Sequence, residues 1–281
     1  MAHMFMLFPE GRPKALTLSY DDGVQQDERL VDIMAKNGLR GTFNINSGRY
    51  SPEGKTWPEG RVHRVMTEAA TTSLFKDSGN EVAVHAYSHL FLNKIKRERV
   101  AFEIVEDRVN LERQFGTIIR GMAYPYGTWN DDVLDVLADC GIAYSRTTKA
   151  TESFGIPTRW LTLDPTCHHK HPRLTELATR FVESERSSND PWLFYLWGHS
   201  YEFEGDNNWD VIEKFAEYTG GHDDIWYATN IEIYDYVEAS RRLHISANCK
   251  MIHNPSAIPV WIRDTSANKI REIEPGATIT L

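Results

Sequence analysis

Little in this chain points to a covalent framework. Three cysteines, Cys140, Cys167 and Cys249, are scattered over 281 residues, too few for a disulfide scaffold. Basic residues are outnumbered: 31 Lys and Arg stand against 40 Asp and Glu, for a formal net charge of -9. Nucleic acid calls for a basic face that meets phosphates, so it is excluded as the main partner, while an uncharged substrate is not. No apolar run is long enough to span a bilayer, so no transmembrane segment is read. The opening MAHMFMLFPEGRPK has neither a basic start nor a continuous apolar stretch and does not read as a signal peptide. As the sequence stands, the expected compartment is the cytoplasm. If MAHM replaces a lost leader, the expectation becomes the periplasm or the exterior. Internal repeats and low-complexity tracts are also missing.

What is present is an ordinary globular composition, 41% hydrophobic and 25% charged. Strand-like and helix-like segments alternate. Strands are expected at Ala15–Tyr20, Gly41–Ile45, Glu81–His85, Ile118–Ala123, Ile142–Ser145, Trp160–Leu163, Trp192–Trp197 and Ile225–Ala228. Helices are expected at Asp27–Asn37, Thr67–Asp77, Arg97–Phe115, Asn130–Cys140, Leu174–Glu185, Trp209–Tyr218 and Ile231–Leu243. Such alternation predicts parallel βα units, and about seven of them favour an α/β barrel over an open sheet. Past Leu243 the helical pattern stops, and short runs such as VWIRD, KIREI and ATITL take over. The expected organisation is a barrel over residues 1–244 and a small β-rich C-terminal extension over 245–281.

In α/β barrels the chemistry collects where strands end. Asp21 and Asp22 follow the first expected strand, as SYDDG. His85 and His89 follow the third, as HAYSH, and Tyr126 follows the fourth, in AYPYG. Asp164 and the run PTCHH, Cys167 to His169, follow the Trp160 segment. His199 follows the Trp192 strand, in YLWGH. His85 and His89 are four apart, a spacing that puts both rings on one face of a helical first turn and suits a metal. Adjacent residues in extended chain point oppositely, so one aspartate of the pair can ligate a cation while the other faces water. A nearby cation would also relieve their like-charge repulsion. At Cys167, His168 and His169 a second metal site and a pocket-lining run are both open readings. Trp57, Trp129, Tyr201 and Trp209 lie in loops or at helix starts near the expected rim, where aromatic faces can stack on a ligand.

Together these residues resemble the polysaccharide deacetylase family, the NodB-homology enzymes of carbohydrate esterase family 4. SYDDG stands for the family's TFDDG, HAYSH for H-[ST]-x-x-H, AYPY for R-x-P-Y, and YLWGH for L-x-L-x-H. The resemblance runs from about Ala15 to Leu243. It implies a distorted (β/α)7-type, NodB-like barrel with one divalent metal ion, zinc first, with cobalt, nickel or manganese as alternatives. It implies hydrolytic removal of acetyl from an N-acetylated, or sometimes O-acetylated, sugar, oligosaccharide or polysaccharide. Asp22, His85 and His89 would hold the metal, Asp21 would be the general base, and His199 the general acid. The backbone N–H of Tyr126 would help hold the oxyanion, and Leu196 and Trp197 would shape the slot for the acetyl methyl.

Two departures stand out. The arginine of the third motif, expected to orient the base aspartate, is Ala123 here. The fourth motif, D-x-x-D-W, reads IPTRW, with Ile156 and Arg159 in its acidic positions. The missing guanidinium is expected from Arg159 or another arginine. The missing acid is expected from Asp164 or a residue of the PTCHH run, with His168 and His169 supporting the site from behind. A sugar-binding protein that has lost catalysis, and a metallohydrolase of another amide or ester, are the competing functions.

Overall fold

The computed structural model describes residues 4–184 and 190–281. In chain order the strands and helices are β1 (Met4–Leu7), β2 (Lys14–Asp21), α1 (Asp27–Lys36), β3 (Gly41–Ile45), α2 (Glu68–Phe75), β4 (Glu81–Val84), α3 (Arg97–Phe115), β5 (Gly121–Ala123), α4 (Asp131–Asp139), β6 (Tyr144–Arg146) and β7 (Cys167–His168). There follow α5 (Leu174–Glu183), β8 (Trp192–Gly198), α6 (Tyr201–Gly205), α7 (Asp210–Thr219), β9 (Ile225–Tyr227), α8 (Asn230–Arg241), β10 (His244–Ile245), β11 (Met251–His253), β12 (Val260–Asp264), β13 (Lys269–Ile273) and β14 (Thr278–Thr280). Among the described residues, no helix is long and apolar enough to cross a membrane.

The central sheet is parallel throughout, in the order β6, β5, β4, β3, β2, β8, β7. β2 lies in its middle. Its C-terminal half pairs β3, its N-terminal half pairs β9, and β8 runs along it from Lys14 to Tyr20. The sheet curls until its margins meet: an isolated parallel bridge joins Arg146 of β6 to Leu163, on the segment leading into β7. The result is a distorted α/β barrel. Strand residues alternate faces, and that alternation sorts the side chains. Leu16, Leu18 and Tyr20 of β2, with Phe194 and Leu196 of β8, join the core shared with the helices. Thr17, Ser19 and Asp21 take the other face. There Thr17 Oγ1 donates to Asn230 Oδ1 at 2.9 Å, and Asn230 Nδ2 donates to Tyr195 Oη at 2.7 Å. This face of β2 is therefore polar from Thr17 up to Asp21.

Helix ends follow local chemistry. Asn130 caps α4 by accepting from the Val133 N–H, and Thr229 with Glu232 forms a capping box on α8. One expected strand is replaced. Trp160–Thr162 is a single 3-10 turn, and the strand in that slot is β7 at Cys167–His168. Trp160 is held sideways instead, its Nε1–H donating to Glu238 on α8 at 2.7 Å. The helix expected to reach Glu185 is described to Glu183, and Glu185 lies outside the described residues.

The C-terminal strands form two three-stranded sheets, β1-β12-β13 and β10-β11-β14. β1, at the other end of the chain, was not anticipated; it pairs antiparallel with β12 from Met4↔Asp264 to Leu7↔Trp261. Ile252, Val260, Ile262 and Ile273 pack on Ala239 of α8. Tyr236 Oη ties the three parts together, donating to the Leu7 carbonyl at 2.5 Å and accepting from the Trp261 N–H at 3.0 Å.

Candidate active site

Asp21 ends β2, and Asp22 leaves it with φ of 80°. That left-handed turn breaks strand alternation, so the two carboxylates do not point to opposite sides as extended chain predicts. Both approach the same imidazole: His85 Nε2 lies 3.8 Å from Asp21 Oδ2 and 3.8 Å from Asp22 Oδ1. His89 Nε2 lies 3.5 Å from Asp22 Oδ1. HAYSH is a tight turn after β4, not a helix; Ala86 and His89 have φ of 60° and 58°. The turn sets the two rings 4.9 Å apart and edge to face. Asn46 Nδ2 fastens it by donating to the carbonyls of His85 and Ala86. Left-handed backbone at Asp22, Ala86, His89 and Tyr126 concentrates strain at one rim, which costs about 1–2 kcal/mol per non-glycine residue.

Asp22, His85 and His89 suit a cation. Their ligand atoms lie within 4.8 Å of one another. His85 Nδ1 is 2.8 Å from the Ala123 carbonyl and acts as the donor there, which leaves Nε2 with its lone pair facing the aspartates. Asp22 Oδ1 is buried with no hydrogen-bond partner, while Oδ2 is taken by His63 Nε2 at 3.1 Å. Burial would raise the Asp22 carboxyl, but the His63 hydrogen bond and the nearby His85, His199 and His89 hold it far below the carboxylate range. Burial holds His89 down to about 4, so its ring is neutral and able to coordinate. An orphaned, ionised oxygen facing two imidazole nitrogens is a donor set that a divalent metal completes.

Asp21 is buried and held at both oxygens. Asn44 Nδ2 donates to Oδ1 at 2.8 Å, and Arg146 Nη2 forms an ion pair with Oδ2. Burial works to raise its pKa; the Arg146 guanidinium, then His85 and His199, outweigh it and keep the carboxyl below its ordinary value. His199 follows Gly198 on β8 and points Nε2 toward Asp21 Oδ2 at 3.9 Å. Its Nδ1 meets Glu202 Oε2 at 3.3 Å, and its own backbone N–H donates to the same oxygen. Burial works to lower His199, but the Glu202 hydrogen bond and the charges of Asp21 and Asp22 raise it above its ordinary value.

Glu202 is a hub. His168 Nε2 and His169 Nε2 approach its Oε2 at 3.1 and 3.2 Å, and Lys170 Nζ approaches Oε1 at 3.1 Å. His168 and His169 thus reach His199 through that carboxylate, sharing its Oε2 with the His199 Nδ1. Cys167 does not join them: it faces the helix-side core, and burial pushes its thiol up to about 12. Gly198 has to be a glycine. A Cβ there would sit 2.0 Å from His169 Nδ1.

Other expectations are corrected. Leu196 does not line a methyl slot, because alternation on β8 turns it into the core between sheet and helices. Trp197 does face the interior, under the Arg146 guanidinium at 4.2 Å and against His168 at 4.5 Å. Arg159 is exposed at the mouth of a cavity of about 600 Å³ that Asp164 and Trp129 also line, and Asp164 accepts from Thr147 Oγ1. Neither is a partner of Asp21 or His199; the 3-10 turn at Trp160 carries that segment aside. The groups on those residues are Arg146 and Glu202. Of the rim aromatics, Tyr201 lies beside His199 and His63, with ring centroids at 5.3 and 4.8 Å. Trp57 lies under Lys55 and Trp209 under Arg29. Tyr126 stacks on Phe91 at 3.8 Å and meets the edge of His89 at 4.6 Å.

Residues 9–145 match the family model described as polysaccharide deacetylase. A chitin deacetylase from Arthroderma benhamiae is 28% identical over 130 residues, 44% of this chain and 31% of the relative. A chitooligosaccharide deacetylase from Sinorhizobium fredii is 27% identical over 129 residues, 45% of this chain and 53% of the relative. The matches therefore span a third to about half of these curated relatives. Among solved structures, a family 4 carbohydrate esterase from Streptomyces lividans, in complex with acetate, superposes with a TM-score of 0.50 at 16% identity, over 76% of this chain and 92% of that one. That likeness shows the fold. Over residues 9–145 the chain is similar to the polysaccharide deacetylase family.

Proposed function

We propose that this protein is a metal-dependent hydrolase that removes acetyl from N-acetylated carbohydrate, with O-acetylated sugars as the second choice. The reading is carried by one observation. The Asp22, His85 and His89 donor set lies directly beside a buried carboxylate, Asp21, and a raised imidazole, His199. A divalent ion on those three residues, zinc first, would polarise the acetyl carbonyl and acidify water.

The chain's own groups do the rest. Asp21, ionised and fixed at both oxygens, accepts the proton from the attacking water. His199, protonated and held at Nδ1 by Glu202, delivers a proton from Nε2 to the departing amine or alkoxide. The Tyr126 N–H, on a turn beside His89, helps bind the developing oxyanion. Trp197 borders the acetyl group, and Tyr126 with Phe91 offers an exposed aromatic face to the sugar. Barrel and C-terminal sheets divide near residue 244, and the sheets brace α8. Support comes also from the chitin and chitooligosaccharide deacetylases named above.

The test is acetate release from chitin oligomers, peptidoglycan fragments and acetyl-xylan with added zinc or cobalt. Release that disappears on chelation and returns with metal is expected. No release from any of the three would overturn the reading.

A further inference from the structure

Ala123 occupies the place of the third-motif arginine, yet Asp21 has a guanidinium. Ala123 ends β5 and Arg146 ends β6, and the two are register partners in the parallel pair. Partners in neighbouring strands present side chains to the same face, so residues 123 and 146 look into the barrel side by side. Both are fully buried. Arg146 Nη1 reaches the Thr147 carbonyl at 3.2 Å, its plane lies over Trp197, and Nη2 meets Asp21. Among the described residues, its one carboxylate partner is Asp21. With Asn44 on the other oxygen, the carboxylate has no freedom to turn.

We propose that Arg146 is the positioning residue for Asp21 and that the guanidinium has moved sideways by one strand. The site requires the cation beside Asp21, not an arginine at 123. This rests on the reading of Asp21 as general base. A planar guanidinium anchored by Nη1 on the Thr147 carbonyl and by its face on Trp197 presents Nη2 to Asp21 from a fixed direction, which a lone ammonium does not. The opposing account is that Arg146 only neutralises a buried charge so that the barrel folds.

Kinetics on a chitooligosaccharide, zinc affinity by calorimetry and Tm separate the two. Arg146→Ala is expected to lower kcat about 100-fold, the effect of a misaligned reacting group, with KM and zinc affinity within about threefold. Ala123→Arg in the Arg146→Ala background is expected to recover at least about tenfold of that loss, and Arg146→Lys to recover less. Recovery of Tm in the double variant with kcat still at the level of Arg146→Ala would overturn the proposal. So would Arg146→Ala with near-normal kcat, or a double variant that does not fold. If Arg146→Ala alone fails to fold, the double variant is compared directly with the wild type, and the same activity criterion decides.

Should the wild type release no acetate from any substrate, the proposed function falls, and the pairing is still decided by Tm. Arg146→Met is expected to destabilise the wild type strongly and the Asp21→Asn background much less. Equal losses in both backgrounds would show that Arg146 does not act on Asp21.

Discussion

The Asp22, His85 and His89 cluster and the Asp21–His199 pair share a rim but are built by different means. Asp22, His85 and His89 come from two short segments, and each sits where its own motif puts it. A left-handed residue in each turn does most of the aiming. Asp21 and His199 depend instead on groups from elsewhere: Asn44 on β3, Arg146 on β6 and Glu202 on α6. The first half takes its aim from turns inside its own two motifs, with Asn46 and His63 as its outside supports. The second half is tertiary, so its supports can be supplied from other strands while the charges stay in place.

That contrast can be broken at several points. The largest expected effect is on the local half. Asp22→Ala or His89→Ala is expected to weaken zinc binding by more than about 100-fold in calorimetry, since changes behind the ligands alone reach that size, and to bring acetate release to background. Next, Asp21→Asn is expected to lower kcat by about 10²- to 10⁴-fold at unchanged zinc affinity. Normal activity in that variant would remove Asp21 from its role.

Glu202→Gln should cost less, about 10- to 100-fold in kcat/KM, and should also move the pH profile. In its proposed role as the acid His199 must be protonated, so activity is expected to decline as pH rises through its pKa. Glu202 raises that pKa, so its removal is expected to shift the alkaline limb to lower pH. An unmoved limb would separate Glu202 from His199. The smallest effect lies far from the rim. Tyr236→Phe removes the hydroxyl shared by Leu7 and Trp261, and is expected to cost about 1 kcal/mol, a few degrees in Tm, with kcat untouched.

Legibility in the sequence follows the same division. The alternation of strands and helices marked out the barrel, and SYDDG, HAYSH and YLWGH marked both aspartates and the three histidines. Arg146 was out of reach because only strand register brings it beside residue 123, and nothing in the linear spacing encodes that neighbour. Glu202 was closer to hand. It lies three residues after His199, the spacing at which a helix start turns a carboxylate back toward its own first N–H groups. The Trp160 segment misled because WLTL, largely apolar with Trp160 and Thr162 as β-formers, read as a strand, whereas in the fold the Glu238 hydrogen bond holds Trp160 sideways. β1 was missed because its partner lies at the far end of the chain.

That last pairing bears on how the molecule comes to be. β1 and β12 join the fourth residue to the 264th, so the loop they close contains nearly the whole barrel. Closing so long a loop from an open chain carries a large entropy cost, whereas a formed barrel brings the two ends near at little further cost. The outer sheet is then the last part to assemble in refolding and the first to detach under mild denaturant. Amide exchange at Met6 and Ile262 would report its opening while Leu16 and Leu18 on β2 stay protected.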